Sequence, residues 1–185
     1  MKPFSRKIIV YIATSADGFI ARHDGDVEWL NRLPHDHDYG MREFYASIDT
    51  VLWGRKTYDW ALDYHRKAGT KGDIFDRSVK NYIFSRRPHE TAAAGTEFVR
   101  DPLEKFVPGL CSSPGKNIWM MGGGELIASF LDAGLLDEFD IHVMPVFIGE
   151  GIPLIAPRRR DVTLRLLDSK AFPDGVVRLR YVVEK

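Results

Sequence analysis

The sequence predicts an α/β fold: one mixed, mostly parallel sheet with helices on both faces and an antiparallel C-terminal edge. Three observations point there. Short apolar strands alternate with helix-period segments through the first two-thirds of the chain. After residue 136 the pattern changes to strict alternation of apolar and polar residues. Three turns built from glycine or basic residues each stand where a short apolar strand runs out. A length of 185 residues fits one domain, residues 1–185, with a substantial core.

Taken in order, residues 7–14 are apolar and β-branched, which predicts a buried strand. Ser15-Ala16-Asp17-Gly18 breaks it, Phe19-Ile20-Ala21 resumes it, and His23-Asp24-Gly25-Asp26 has turn chemistry. Met41, Phe44, Tyr45 and Ile48 fall at i, i+3, i+4 and i+7, one helix face. Residues 50–53 predict a strand, 57–62 a helix, and 63–72 a polar, mobile connection. A strand at 81–84 stops before Pro88, a short one follows at 97–99, and 103–110 is a weak helix with Pro108 near its end. Residues 117–121 are a strand, and Leu126, Ile127, Phe130 and Leu131 form the core face of a helix that Gly134 interrupts. Phe139, Ile141 and Val143 alternate. So do Val162, Leu164 and Leu166, and then Val177, Leu179, Tyr181 and Val183. Phe172-Pro173-Asp174-Gly175 supplies the reversal between the last two runs. No repeat, low-complexity stretch or linker divides the chain.

The three turns carry the functional signal. They are Gly54-Arg55-Lys56-Thr57, Ser85-Arg86-Arg87 and Gly122-Gly123-Gly124-Glu125. Backbone N–H groups at a helix start point at an anion, and the helix dipole favours negative charge there. On one sheet, such turns share the carboxyl ends of the strands, where open α/β sheets hold ligands. Together they suggest an extended phosphate ligand such as a dinucleotide. Gly54 lets the backbone approach a pyrophosphate, Arg55 and Lys56 offer charge, and Thr57 offers a hydroxyl; the alternative is an ordinary turn with solvated cations. Ser85 and Arg86 suit an adenosine ribose with a 2′-phosphate, hence NADPH over NADH, or are simply surface residues ahead of Pro88. Gly122, Gly123 and Gly124 allow close packing on a pyrophosphate, or serve the fold alone. The spacing is not Gly-x-Gly-x-x-Gly, so the Rossmann fingerprint is absent.

Composition excludes other classes. The 26 basic and 26 acidic residues cancel, so no global field favours nucleic acid or an anionic membrane. No stretch has the length of a membrane span, and the apolar run after the basic residues 1–6 is too short for a signal peptide, so a cytoplasmic location is expected. Cys111, the single cysteine, allows no intrachain disulfide and reads as a small hydrophobe. His35-Asp36-His37-Asp38 matches no tight ligand spacing, and no metal is expected. Arg158-Arg159-Arg160 is expected to be a solvated charge run, with a substrate-phosphate contact as the alternative.

Ser15-Ala16-Asp17-Gly18-Phe19-Ile20-Ala21, Gly54-Arg55-Lys56-Thr57-Tyr58, Ser85-Arg86 and Gly122-Gly123-Gly124-Glu125-Leu126, in that order, resemble the dihydrofolate-reductase-like proteins. The chain is most similar to the reductase domain of bifunctional riboflavin-biosynthesis deaminase–reductases and its small stand-alone relatives. The resemblance implies a dihydrofolate-reductase-like three-layer sandwich, NADPH as cofactor and a homodimer. It places Ala13, Asp17, Gly18 and Ile20 by the nicotinamide, and Leu126 with the other turn residues around the phosphates. Asp38, in the region flanking the substrate, is the candidate proton donor, or else an N-cap of the next helix. Trp29, Tyr39 and Phe44 are candidates for a flat pocket that takes a heteroaromatic ring, or else core. The segment Pro34-His35-Asp36-His37-Asp38-Tyr39-Gly40 departs from the folate reductases, whose pteridine-binding acid sits in a Trp-rich, Pro-containing stretch. Asp59-Trp60-Ala61-Leu62 departs from the Asp-x-Pro-x-Leu of the riboflavin reductases. The expected function is NADPH-dependent reduction of a small heterocycle, with 5-amino-6-(5-phosphoribosylamino)uracil as first candidate. Dihydrofolate reduction and non-catalytic nucleotide binding are the alternatives.

Overall fold

The computed structural model describes residues 6–32, 37–69, 72–87, 89 and 91–185. In chain order the elements are β1 (Ile8–Ser15), β2 (Phe19–Ala21), a 3₁₀ turn (Glu28–Arg32), α1 (Met41–Ala46), β3 (Ile48–Gly54), α2 (Arg55–Ala68), β4 (Lys80–Phe84), β5 (Thr96–Val99), α3 (Leu103–Ser112), β6 (Asn117–Gly122), α4 (Gly124–Asp132), β7 (Glu138–Met144), β8 (Ile152–Pro153), β9 (Leu164–Ala171) and β10 (Val177–Val183). Eight strands form one sheet in the order β5-β4-β3-β6-β1-β7-β10-β9, and β2 pairs with β8 separately. The first six of these run parallel, and β10 and β9 close the sheet as an antiparallel edge. The alternating pattern after residue 136 begins one strand early: β7 still runs parallel to β1, and only its pairing with β10 is antiparallel.

The two-residue period of the strands sorts side chains onto two faces. From β1, Ile8 and Val10 join Leu52, Ile118 and Met120 beneath α3 and α4, in the largest apolar cluster. Ile9 and Tyr11 point the other way, to Phe44 of α1, with Val51 and Trp119. Tyr58 of α2 packs on the same sheet through Phe75 and Ile83.

Three expectations need correction. Ile48 does not extend α1: the helix stops at Ala46, the Ser47 amide caps it on Phe44 O, and Ile48 starts β3. Residues 63–68 are helix, not a loop. Trp60 stacks on Tyr64 one turn along, Arg66 pairs with Asp63 at 2.6 Å, and the helix ends only at Gly69, whose φ of 62° is left-handed. The arginines after Pro157 are exposed at 158 and 159, as a charge run is, but two of the three are paired. Arg158 bridges Glu125 and Asp132, and Arg160, 15% exposed, binds Asp132 through Nε at 2.6 Å.

Candidate functional site

Because β5, β4, β3, β6, β1 and β7 are parallel, their carboxyl ends share one edge. Register sets the turns side by side along it: Trp53 lies opposite Gly122, Gly54 opposite Phe84, and Ser15 opposite Met144. The glycine turns after β3 and β6 touch. A Cβ on Gly54 would stand 3.1 Å from Gly122 O and 3.2 Å from Gly123 N, so that glycine is demanded by the neighbouring turn itself. Gly124 is likewise demanded by the fold, since a Cβ there would meet Pro153 O at 2.4 Å. Gly123 differs: its backbone is extended, and a Cβ would meet only Thr57 Oγ1 at 3.2 Å.

Both helices at this junction begin uncapped. The N-cap of α2 is Gly54 and that of α4 is Gly123, and neither supplies a side-chain hydrogen bond to the first-turn amides. Helix starts leave such amides in need of an acceptor. Two uncapped starts in contact fit the pyrophosphate of a dinucleotide.

The side chains around this junction divide. Lys56 and Arg86 are exposed, with no partner among the described residues. Arg55 is already engaged: Nε donates to both Asp59 carboxylate oxygens at 2.9 and 2.7 Å, and the guanidinium also reaches Arg87 O and His89 Nδ1. Ser85 Oγ accepts from the Arg87 amide at 3.1 Å, shaping the loop that presents Arg86. Glu125 turns to Arg158, and Leu126 packs into the core under α4, so those two contribute backbone rather than side chain to the edge.

At the end of β1, Asp17 accepts hydrogen bonds from the amides of Ile148 and Gly149, the latter at 2.7 Å. It thereby ties the turn before β2 to the loop after β7. Its hydrogen bonds with Ser15 and with those amides hold its carboxyl below the usual range. Gly18, at φ 86°, faces open space, and half-buried Ala13 and Ile20 lie on either side of this turn.

The proposed substrate aromatics are not brought into one open pocket. Phe44 is buried and stacks on Tyr11 at 4.3 Å. Trp29 is 2% exposed in a separate cluster with Met144, Ile148 and Val176. Tyr39, half-buried, packs against that second cluster and edge-on to Phe172. Its φ is 53°, a left-handed conformation in a residue other than glycine, which costs on the order of 1–2 kcal/mol. Its carbonyl accepts from Tyr11 OH at 3.2 Å and from His142 Nε2 at 3.1 Å, and its hydroxyl donates to Asp174 in the turn between β9 and β10.

Asp38 is exposed and is not the N-cap of α1, which is Gly40. Its carboxylate accepts from the Gly40 amide at 3.0 Å, and that bond lowers its pKa. An ionised carboxylate at neutral pH is an acceptor, not a proton donor. His35 and Asp36 lie outside the described residues. Among the described residues no group of acidic, histidine and cysteine side chains forms a metal site.

Sequence reasoning missed the polar face of β7. Glu138, Asp140 and His142 alternate with Phe139, Ile141 and Val143, a period that on its own suggests a solvated face. All three are buried. Arg178 of β10 forks onto Asp140, with Nε at 2.7 Å. Burial lowers the His142 pKa and keeps its ring neutral, and burial with the nearby Asp140 charge raises the Tyr11 pKa.

No described helix is long and apolar enough to cross a membrane. The chain is 37% identical to YwjB of Bacillus subtilis strain 168 over 178 residues, covering 96% of this chain and 98% of that protein. The crystal structure of a protein named for riboflavin biosynthesis from Shewanella sp. PV-4 superposes with a TM-score of 0.84 at 25% identity, covering 97% of this chain and 99% of that one. A Thermotoga maritima diaminohydroxyphosphoribosylaminopyrimidine deaminase/5-amino-6-(5-phosphoribosylamino)uracil reductase shares the fold, with a TM-score of 0.69 at 15% identity. That match covers 97% of this chain and 57% of that one, so only part of the two-activity protein corresponds. Residues 6–178 match the model of the RibD C-terminal domain, and the chain belongs to that family.

Proposed function

We propose that the protein is an NADPH-dependent reductase of a small heterocycle, with a 5-amino-6-(5-phosphoribosylamino)uracil-like pyrimidine as first candidate. One observation carries the reading: the uncapped starts of α2 and α4 meet at the carboxyl edge of the sheet, where only the Thr57 hydroxyl crowds Gly123. The amides of the two helix starts and Lys56 would hold the pyrophosphate, Arg86 a 2′-phosphate, and Ala13, Gly18 and Ile20 would border the nicotinamide. When bound, that cofactor supplies hydride, and the protein's task is alignment and exclusion of water. Asp38, as a carboxylate, suits orienting an N–H edge of the heterocycle. The test is loss of reduced-nicotinamide absorbance against a panel of aminouracils, pterins and folates. Turnover of an aminouracil is expected; tight NADPH binding without turnover of any member would leave a nucleotide-binding protein instead.

A homodimer completes the proposal. Every residue of β9 is exposed, including Leu164, Leu166 and Leu167, and Val177 adds to the patch. An apolar edge strand of this kind is normally covered. Sedimentation should show a dimer that Leu166→Glu converts to monomer.

A further inference from the structure

The backbone of Tyr39 is held from two strands at once, and no expectation from sequence explains why. Tyr11 projects from β1 and His142 from β7, on neighbouring strands of one sheet face, and both donate to the Tyr39 carbonyl. A third tie joins the Tyr39 hydroxyl to Asp174, in a turn more than a hundred residues away. The supporting groups are buried: Tyr11 is 6% exposed and His142 4%. A neutral imidazole whose Nε2 donates to a carbonyl has its proton fixed on that nitrogen. Left-handed backbone in a tyrosine persists only where its surroundings over-determine it, and such residues cluster at ligand sites.

We infer that His142 and Tyr11 are positioning residues: they set Tyr39 in its left-handed conformation so that its ring forms a fixed wall for the heterocyclic substrate beside the end of β1. The inference deepens the reductase reading and rests on it. Tyr39 is suited to the role because its ring packs on Phe172 and its carbonyl is tied to His142, which pairs with Ala13 across β1 and β7 near the carboxyl edge. Neither His142 nor Tyr11 needs to touch the substrate. Specificity for a flat ring then comes from the angle at which Tyr39 is held.

The experiment compares His142→Leu, His142→Gln and Tyr11→Phe. The last removes one hydroxyl and keeps the ring that stacks on Phe44, so it preserves the fold. In His142→Leu and Tyr11→Phe the KM for the heterocycle should rise about five- to tenfold, the scale of one lost hydrogen bond, with the KM for NADPH within about twofold. His142→Gln, which returns an N–H donor, should recover most of the loss. Amide exchange gives a readout without turnover: the Gly40 and Met41 amides should exchange about tenfold faster in the two disruptive variants. An unchanged heterocycle KM in both, an equal rise for NADPH, or failure of Gln to restore would overturn the inference. If the wild-type protein reduces nothing, the reductase reading falls. The exchange rates then decide the clamp alone, and unchanged rates would sink it.

Discussion

Gly123 and Gly124 are adjacent glycines with opposite duties. Alanine at Gly124 would gain up to about 1 kcal/mol of helix propensity, but its methyl would stand 2.4 Å from the carbonyl of Pro153, a main-chain atom that cannot turn aside. The clash prevails, and Gly124→Ala should cost about 2–3 kcal/mol in chemical denaturation. Gly123→Ala meets only a rotatable hydroxyl on Thr57 and should leave stability within about 1 kcal/mol. It should still weaken NADPH at least about tenfold by calorimetry, because its methyl occupies the approach to the amides. Arg86 has no partner among the described residues to lose, so Arg86→Ala should weaken NADPH by ~1–3 kcal/mol and NADH hardly at all. Equal losses would remove the 2′-phosphate assignment. His142 has its own signature in pH. Its folded pKa is lowered by burial, so the unfolded chain takes up the proton first. Stability is therefore present above the unfolded value near 6.5 and is lost as pH falls from there toward the folded value. The charged groups facing it are Asp140 and Arg178, with Tyr11 and the Tyr39 carbonyl alongside. Denaturation midpoints measured from pH 7 to 5 should fall in the wild type and flatten in His142→Gln.

At the scale of elements, the β7–β10 pairing depends on a charge pair inside the sheet face. Asp140 is 5% exposed at its side chain and Arg178 19%, and the guanidinium also lies against Gly40 ahead of α1. Removing one member strands the other without water, so Asp140→Asn should cost about 3 kcal/mol by denaturant titration. A cost near zero would mean that Arg180 and Arg178 reach solvent readily. Helix α3 makes the contrasting case. Its Cys111 thiol is buried and pushed up to about 11, chiefly by that burial. Thiolate chemistry is accordingly suppressed, and alkylation should proceed only at the rate of unfolding. Helix α2 lengthens beyond its sequence signal through contacts along its own surface, Trp60 on Tyr64 and Arg66 with Asp63, while Tyr58 anchors its first turn on Phe75.

At the scale of the whole molecule, six parallel strands bring their carboxyl ends to one edge, where the turns after β3 and β6 touch. The turns at Gly54 and Gly122 were legible because glycine after a short apolar run ends the strand period and marks a turn. The strand and helix alternation and the antiparallel close were legible for similar reasons of period and spacing. His142, Asp140 and Tyr11 were not, because a period of two says that residues share a face but not whether water reaches it. Nor did the composition of 158–160 say that Asp132 would stand between two of those arginines. Sequence alone determined the alternation of strands and helices and the turns that end β3 and β6, since both follow from local periodicity and local backbone demands. Only the tertiary structure decided which glycines serve the fold, which side chains are covered, and that Tyr39 is held from two strands. Those are properties of contacts between residues far apart along the chain, and no local pattern encodes them.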